Sequence, residues 1–205
     1  MILPAPMLLS ETKLPVLGRP GYIFEVKWDG FRIIAGVAQG KAHLRSRGGA
    51  DYSKAFPEVV AGLIQLGEGP HILDGEVVVL DDQGRADFDT LQDRARRRRF
   101  REGDPPVVFM VFDALAINGR ALITEPVEHR KEALKTLLEN APSALQYVRH
   151  FDAEHGPSLY KQSVQLEMEG LVAKRLGSVY KPGERSQAWV KVKRPGAIPA
   201  ERFKR

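Results

Sequence analysis

A lysine at the end of an apolar run is the first residue in this 205-residue sequence that could do chemistry. It stands in the segment Glu25–Arg32 (EVKWDGFR), and the run Tyr22–Trp28 predicts a strand. Because alternate residues of a strand share a face, Glu25 and Lys27 are predicted to project together, away from an apolar face. An Asp29-Gly30 turn would connect this strand to the next and hold Lys27 rigidly. The alternative is an ordinary surface lysine beside a hairpin.

Two glutamates occupy positions where the carboxylate could have a specific binding partner. Glu76 lies in the β-prone run 71–80 (HILDGEVVVL), which is rich in Val, Ile and Leu, and burying its charge is costly without a partner. A sugar hydroxyl or a metal-bound water would satisfy it, whereas an edge-strand position would leave it in solvent. Glu169 precedes Gly170, where a helix is predicted to end and a strand to begin. Glu169 could bind Mg²⁺ through oxygen, or it could be a solvated charge.

Two lysines alternate along a late strand. In Trp189–Lys193 (WVKVK), Lys191 and Lys193 share one face with Trp189, and the valines share the other. The two like charges repel each other unless an anion lies between them, and a nucleotide phosphate is such an anion. An exposed amphipathic strand is the alternative.

A cluster of arginines lies on a predicted polar helix. Such a density of positive charge repels itself, and phosphates of DNA would relieve that repulsion and release counterions. The alternative is a solvated basic helix. The cluster comprises Arg94, Arg96, Arg97, Arg98, Arg99 and Arg101.

Composition limits the class of protein. The net charge of +5 permits a polyanionic partner, and the absence of cysteine excludes disulfides, thiolate catalysis and Cys-based zinc sites. The five histidines lack the short spacing of a helical metal site. We see no signal peptide and no run long enough to span a membrane, so we expect a cytoplasmic, nucleoid-associated protein. Neither a P-loop nor a dinucleotide-binding glycine motif is present.

The pattern of elements favours α+β architecture with antiparallel sheets flanked by helices, because early hairpin-like strands and interspersed helices show no regular βαβ repeat. Residues 1–21 are predicted to be an extended lead-in. Strands are predicted at 22–28, 32–37, 41–46, 71–80, 107–112, 171–174 and 188–193. Helices are predicted at 53–66, 89–101, 124–139, with Thr124 as N-cap, and 158–167.

The motifs K-x-D-G-x-R, D-G-E, E-G-x-x-x-K and W-x-K-x-K follow one another in this order. The chain thereby resembles the covalent nucleotidyltransferases, which comprise ATP-dependent DNA ligases, RNA ligases and mRNA capping enzymes. It looks most like the adenylation domain of bacterial ATP-dependent DNA ligases associated with end joining, which has an ATP-grasp-like fold. The resemblance runs from about residue 6 to residue 194. Further matching segments are 46–49 (SRGG), 88–94 (FDTLQDR), 111–115 (VFDAL) and 180–186 (YKPGERS).

This resemblance implies a chemical role for each motif. Lys27 would attack the α-phosphate of ATP and carry AMP, which then passes to the 5′-phosphate of nicked double-stranded DNA. Lys191 and Lys193 would neutralise the α-phosphate. Glu169 would bind Mg²⁺ or Mn²⁺, and Glu76 would contact the ribose or a metal-bound water.

Further contacts to nucleotide or DNA are implied in the same way. Phe112 would stack on adenine, although a core position on a buried strand is an equal alternative. Glu25 would read the adenine amino group, and Arg32 would lie near the ribose and the nick phosphate. Contacts to phosphate are implied for Arg47, Lys174 and Arg185.

The resemblance also raises an expectation about domains. DNA ligases of this family carry an oligonucleotide-binding barrel after the W-x-K-x-K strand, and Arg194–Arg205 is too short to form one. We therefore expect a single adenylation domain with a short tail at 195–205, whose sealing is weak or depends on a barrel-bearing or end-joining partner. A non-sealing module that binds nicks, and an RNA ligase or capping enzyme, remain alternatives. An NAD⁺-dependent ligase is disfavoured.

Overall fold

Two β-sheets and four helices make up the fold in a computed structural model that describes residues 2–12 and 16–197. The predicted tail therefore lies mostly outside the described residues. The strands are β1 (Leu8–Glu11), β2 (Tyr22–Lys27), β3 (Phe31–Ala38), β4 (Lys41–Ser46), β5 (His71–Val78), β6 (Val108–Ile117), β7 (Arg120–Ala121), β8 (Leu145–Tyr147), β9 (His150–Phe151), β10 (Gly170–Arg175) and β11 (Arg185–Lys193). The helices are α1 (Pro57–Ile64), α2 (Phe88–Arg97), α3 (Val127–Leu137) and α4 (Gly156–Gln165).

The sheets are mainly antiparallel. One has the strand order β1-β11-β10-β2-β9, and the other has the order β4-β3-β5-β6-β7, with β8 alongside β6. Only β1 with β11 and β6 with β8 pair in parallel among the described strands. The predicted α+β class is confirmed. No helix in the described ranges is long and apolar enough to cross a membrane.

The connection after Lys27 differs from the predicted hairpin. Strands β2 and β3 lie in different sheets, so Asp29-Gly30 does not join paired neighbours, and that prediction is wrong. Gly30 is needed for a different reason. A Cβ atom there would lie 2.2 Å from the carbonyl oxygen of Val77, a distance that real contacts do not reach. The chain therefore passes from one sheet to the other pressed against β5, directly after Lys27.

The short connection before β10 also departs from the prediction. Helix α4 ends at Gln165, and Gly170 is the first residue of β10 rather than the helix stop. The left-handed residue after the helix is Glu167, with φ of 56°. Gly170 has φ of 139°, and a Cβ atom there would lie 2.1 Å from the Val192 oxygen. Close packing of β10 on β11 thus requires this glycine.

Three other helices are shorter than predicted. Helix α1 occupies the centre of the predicted 53–66 span, and α3 has Pro126 rather than Thr124 at its N-cap. Helix α2 ends at Arg97 because Arg98 adopts a left-handed conformation with φ of 51°. The last arginines of the cluster therefore lie in a loop and not on the predicted helix.

Most of the core lies on the helix-covered faces of the two sheets. The six-stranded sheet packs against α1 and α3, and the resulting cluster includes Ile33, Phe109 and Leu134. The five-stranded sheet packs Phe24 and Val192 beneath α4. These buried residues alternate with Glu25, Lys191 and Lys193 along β2 and β11, as the period-two pattern predicts. The opposite face of this sheet therefore carries the charged residues.

Candidate active site

Lys27 lies at the junction of two openings. A narrow cavity of about 40 Å³ lies between the sheets, and a wider cleft of about 350 Å³ opens to solvent. Lys27 and Trp28 line both of them. The end of β2 therefore presents one amine to both the narrow cavity and the wider cleft.

The lysines at the ends of β2 and β11 are brought together. Strand β10 lies between these strands, with Gly170 opposite both Lys27 and Lys193. Glu169 pairs with Lys27 and, at 3.2 Å, with Lys193. Lys191 pairs with Glu11 of β1 at 3.2 Å. One carboxylate is thus shared by two amines, and a surplus of positive charge lies where an anion can approach.

Aromatic rings form the walls of the narrow cavity. Phe112 and Trp189 meet edge to face, with ring centroids 6.2 Å apart, and the Arg32 guanidinium lies 4.9 Å from the Phe112 centroid. The Trp189 Nε1 atom is buried and has no hydrogen-bond partner. Glu25 also lines this cavity. Apolar faces combined with a few fixed polar groups suit a flat heteroaromatic ring.

Glu25 is held by two buried lysines. Its carboxylate lies 2.8 Å from the Lys131 amine and 2.9 Å from the Lys174 amine. Lys174 also donates to the Phe112 carbonyl at 2.9 Å, and so is placed beside Glu25 rather than free for a phosphate. Burial lowers the pKa of Lys131 to about 8, against the opposing effect of Glu25. In the sequence, Lys131 stands among the apolar positions of α3, which could have indicated a buried lysine. The sequence analysis treated this segment only as an amphipathic helix.

Arg32 is fixed by a second network that the sequence did not indicate. Its guanidinium donates to both carboxylate oxygens of Asp74, at 2.8 and 2.7 Å. The Tyr180 hydroxyl donates to Asp74 at 2.6 Å and accepts from the Met7 amide at 2.9 Å. Asp74 and Tyr180 belong to motifs that the sequence analysis identified. Their positions in the sequence, however, do not indicate that they are in contact. Arg32 therefore reaches the cavity wall in one orientation.

Glu76 faces the same cavity from β5, directly across from Arg32 in the adjacent strand. Burial raises the pKa of this carboxyl to about 8, although Lys27 and Arg32 act in the opposite direction. The side chain keeps some contact with solvent. Near neutral pH, Glu76 is thus largely protonated until a cation or hydrogen-bond donor arrives.

The shifted pKa of Glu76 predicts a pH-dependent gain in stability for Glu76→Gln. Below pH 8 the folded chain retains a proton that the unfolded chain releases near pH 4.5, so the carboxyl destabilises the fold increasingly as pH rises between these values. Glutamine lacks this titration. The melting temperature of the variant relative to the unaltered protein should rise by roughly 2–4 °C from pH 5 to pH 8, equivalent to about 1 kcal/mol for a partly solvated group.

Melting curves at pH 5, 6, 7 and 8 measure this difference. Glu139→Gln, which changes an exposed residue at the end of α3, is the matched control. It should stay within about 0.5 kcal/mol of the unaltered protein throughout. A Glu76→Gln difference that does not change with pH would show that this carboxyl is ionised in the fold.

Carboxylates near Lys27 are the candidate ligands for a metal ion. No group of three or more His, Cys, Asp or Glu residues in the described ranges could enclose a metal ion. Glu76 and Glu169 both lie near Lys27, however, and Mg²⁺ is commonly bound by one or two carboxylates together with substrate phosphates and water. The donors therefore fit a Mg²⁺ or Mn²⁺ ion that arrives with a nucleotide.

Three predicted contact residues lie away from the cavity. Arg47 is exposed in the turn after β4, and Arg185 donates to the Leu9 carbonyl and so ties β1 to β11. Arg94 is 1% exposed and donates to the carbonyls of Ala55 and Pro105 and to Glu58. This burial removes Arg94 from the residues that can reach a partner.

The other arginines of the cluster differ in their exposure to solvent. Arg97 pairs with Asp93 and Asp104 and is mostly shielded. Exposed arginines remain at the end of α2 and in the loop that follows it. Lys54 lies beside this loop, because the Phe100 amide donates to the Lys54 carbonyl. These exposed residues are Arg96, Arg98, Arg99 and Arg101.

The fold and this lysine-centred site are those of a nucleotidyltransferase domain, and comparison with known proteins identifies the family. Residues 6–193 match the family described as "ATP dependent DNA ligase domain", and the chain belongs to this family. It is 36% identical over 189 residues to the multifunctional non-homologous end joining DNA repair protein LigD of Mycobacterium tuberculosis H37Rv, covering 92% of this chain and 24% of that protein. DNA ligase C1 of Mycolicibacterium smegmatis is 33% identical over 196 residues, which span 92% of this chain and 56% of that protein.

Solved structures show the same fold. The ligase domain of M. tuberculosis LigD is similar with a TM-score of 0.80 and 34% identity, over 93% of this chain and 60% of that one. The structure of a mycobacterial DNA ligase D in complex with ATP and MES gives the same values. The chain thus spans about a quarter of the length of its LigD relatives and less than two thirds of the solved ligase domain.

Proposed function

We propose that this chain adenylates itself on Lys27 with ATP and transfers the AMP to the 5′-phosphate of nicked DNA. The observation that carries the proposal is the position of Lys27 between the aromatic cavity and the open cleft, where it shares the Glu169 carboxylate with Lys193. The family match and the ATP complex of the similar mycobacterial ligase support ATP as the nucleotide.

The first step joins the Lys27 nitrogen to the α-phosphorus of ATP and breaks the bond to the β-phosphate oxygen, so that pyrophosphate leaves. The amine must lose a proton before attack. Glu169 accepts a hydrogen bond from Lys27 and is positioned to take that proton. Lys191 and Lys193 would stabilise the negative charge that develops on the phosphate oxygens.

Other residues would orient the nucleotide. Phe112 would stack on the adenine ring, while Glu25 would accept a hydrogen bond from its amino group. Arg32, fixed by Asp74, would face the ribose. Glu76 and Glu169 would hold Mg²⁺ or Mn²⁺, which supplies positive charge to the phosphates when bound.

Incubation with α-³²P-ATP and Mg²⁺ tests the proposed adenylation. Label should remain on the protein through denaturing electrophoresis and should be released by excess pyrophosphate, which reverses the reaction. γ-³²P-ATP should leave the protein unlabelled because that phosphate departs. Absence of label from α-³²P-ATP would reject the proposal and favour a module that only binds nicks.

Transfer to DNA follows from the open cleft and the exposed arginines. Helix α2 begins beside the cleft and has 10 residues, so its basic end lies about 15 Å away. Phosphates of a duplex lying over the cleft would extend that far. Arg98, Arg99 and Arg101, with Lys54 beside them, would contact this backbone. Competition between nicked DNA and nicked RNA for the labelled AMP distinguishes a DNA ligase from an RNA ligase.

Substituting Arg98, Arg99 and Arg101 together by Gln is expected to weaken binding to a nicked duplex. The slope of log K against log salt is negative, and each lost phosphate contact reduces its magnitude by about 0.9, so the slope should become less negative by about 2–3. Fluorescence anisotropy from low to moderate salt measures this slope.

A triple variant with the same change in net charge is the control. Arg120, Lys135 and Arg175 are exposed on other parts of the surface, and their replacement by Gln should leave the slope nearly unchanged. Equal weakening in the two triple variants would mean that overall charge, rather than this surface, attracts DNA.

A further inference from the structure

Lys131 is a charged residue in a position that the proposed chemistry does not use. It lies on the sheet-facing side of α3, between Val127 and Leu134, and its side chain is 0% exposed. Its amine donates to the Val148 carbonyl at 2.7 Å and lies 4.3 Å from the centroid of the Tyr147 ring. A lysine is costly to bury at such a position, and it is retained in the fold through specific partners.

Its partners join the two walls of the narrow cavity. Glu25 belongs to the five-stranded sheet and Phe112 to the six-stranded sheet. Lys131 contacts the Glu25 carboxylate at 2.8 Å and donates to the Phe112 carbonyl at 3.4 Å, while Lys174 makes the equivalent pair of contacts at 2.9 Å each. The two amines thus hold the carboxylate of one wall at a set position relative to the ring of the other.

The carboxylate of Glu25 lies against two lysine amines, at 2.8 and 2.9 Å. A carboxylate accepts hydrogen bonds and donates none. An exocyclic amino group on a bound base would donate to it. A carbonyl at the same position would place two acceptors against each other and leave both unsatisfied.

We propose that Lys131 is a positioning residue that selects a 6-aminopurine over a 6-oxopurine by holding the Glu25 carboxylate in place at the cavity wall. The inference rests on the proposed adenylation of Lys27. Lys131 touches neither the nucleotide nor Lys27 in this scheme and acts through Glu25. Inosine triphosphate is a suitable probe, because it differs from ATP at the base and not at the phosphates.

Steady-state formation of the lysyl-nucleotide with ATP and with inosine triphosphate tests the proposal. Lys131→Met should lower the ATP-to-ITP ratio of kcat/KM by about tenfold. The change should come mainly from a higher KM for ATP, with kcat within about twofold, because the reacting phosphate is untouched. Lys135→Met, an exposed lysine one turn further along α3, should leave the ratio unchanged.

A double-mutant cycle keeps the test decisive if the single variant folds poorly. Glu25→Gln removes the buried charge that Lys131 compensates, and Lys131→Met in that background leaves no unpaired carboxylate. The proposal requires that Glu25→Gln alone lowers the ATP-to-ITP ratio and that adding Lys131→Met lowers it no further. Melting temperatures of all variants report whether each is folded.

Three results are distinguishable. An unchanged ratio in folded Lys131→Met, or an equal loss in both backgrounds, overturns the role of Lys131. An unchanged ratio in Glu25→Gln overturns it as well, because the residue through which Lys131 acts would not read the base. A wild-type protein that forms no lysyl-nucleotide would reject the proposed function itself.

Discussion

Lys27→Arg is expected to abolish labelling by α-³²P-ATP, with a rate at least about 1000-fold below that of the unaltered protein. Arginine keeps the positive charge and the pairing with Glu169, but its guanidinium does not release a proton near neutral pH. No neutral nitrogen is then available to attack the phosphate. Nucleotide binding should persist, since Phe112, Trp189 and Glu25 are unaltered.

Single-turnover labelling measures the rate, and quenching of the fluorescence of Trp28 and Trp189 by ATP measures binding. Lys161→Arg, which makes the same change on the exposed side of α4, should label at the normal rate. Persistent label on Lys27→Arg would show that another residue is the nucleophile. Lys193 would then be the first candidate, because it shares the Glu169 carboxylate with Lys27.

Arg130→Met is expected to lower the melting temperature by roughly 6–20 °C, since removing one partner of a buried ion pair costs about 3–5 kcal/mol. Arg130 and Asp113 are both fully buried and joined by two hydrogen bonds of 2.8 Å. Arg130 also donates to the carbonyls of Glu125 and Ser178. Methionine would leave the Asp113 charge and both carbonyls without this donor.

Thermal unfolding followed by circular dichroism measures the loss. Arg120→Met provides the control, because Arg120 pairs with Glu125 at the surface, where its side chain is 73% exposed. This exposed pair should contribute less than about 1 kcal/mol. Should both variants melt alike, Asp113 must be accommodated without its partner, and the interior of this domain would be more polar than its contacts suggest.

The sequence predicts the family and the face on which a strand residue lies better than it predicts the strand pairing. Alternation placed Lys191 and Lys193 on one face of β11, and the order of the motifs identified the family, because both depend on short local patterns. The passage of β2 and β3 into separate sheets depends on contacts with β10 and β5, far away in the sequence. A local Asp-Gly signal carries no information about such partners.

The burial of individual charged residues was also not predictable from the sequence. Arg94 and Arg96 are indistinguishable within a run of arginines, yet one is buried against Ala55 and Glu58 and the other is exposed. Lys131 likewise resembles any lysine of an amphipathic helix until Glu25 is placed beside it. Only the tertiary fold supplies the partner that stabilises a buried cation, so these assignments required the structure.

The crossing after Lys27 has a mechanical consequence. Only residues 28–30 separate the last residue of β2 in one sheet from the first residue of β3 in the other. Lys27 thus sits beside a short covalent tether between the two halves of the fold. A motion that spread the sheets would pivot near this tether and displace the distant rims of the cleft more than the amine. Lys27 would therefore stay nearly stationary while the cleft widened, because points close to a hinge axis move least.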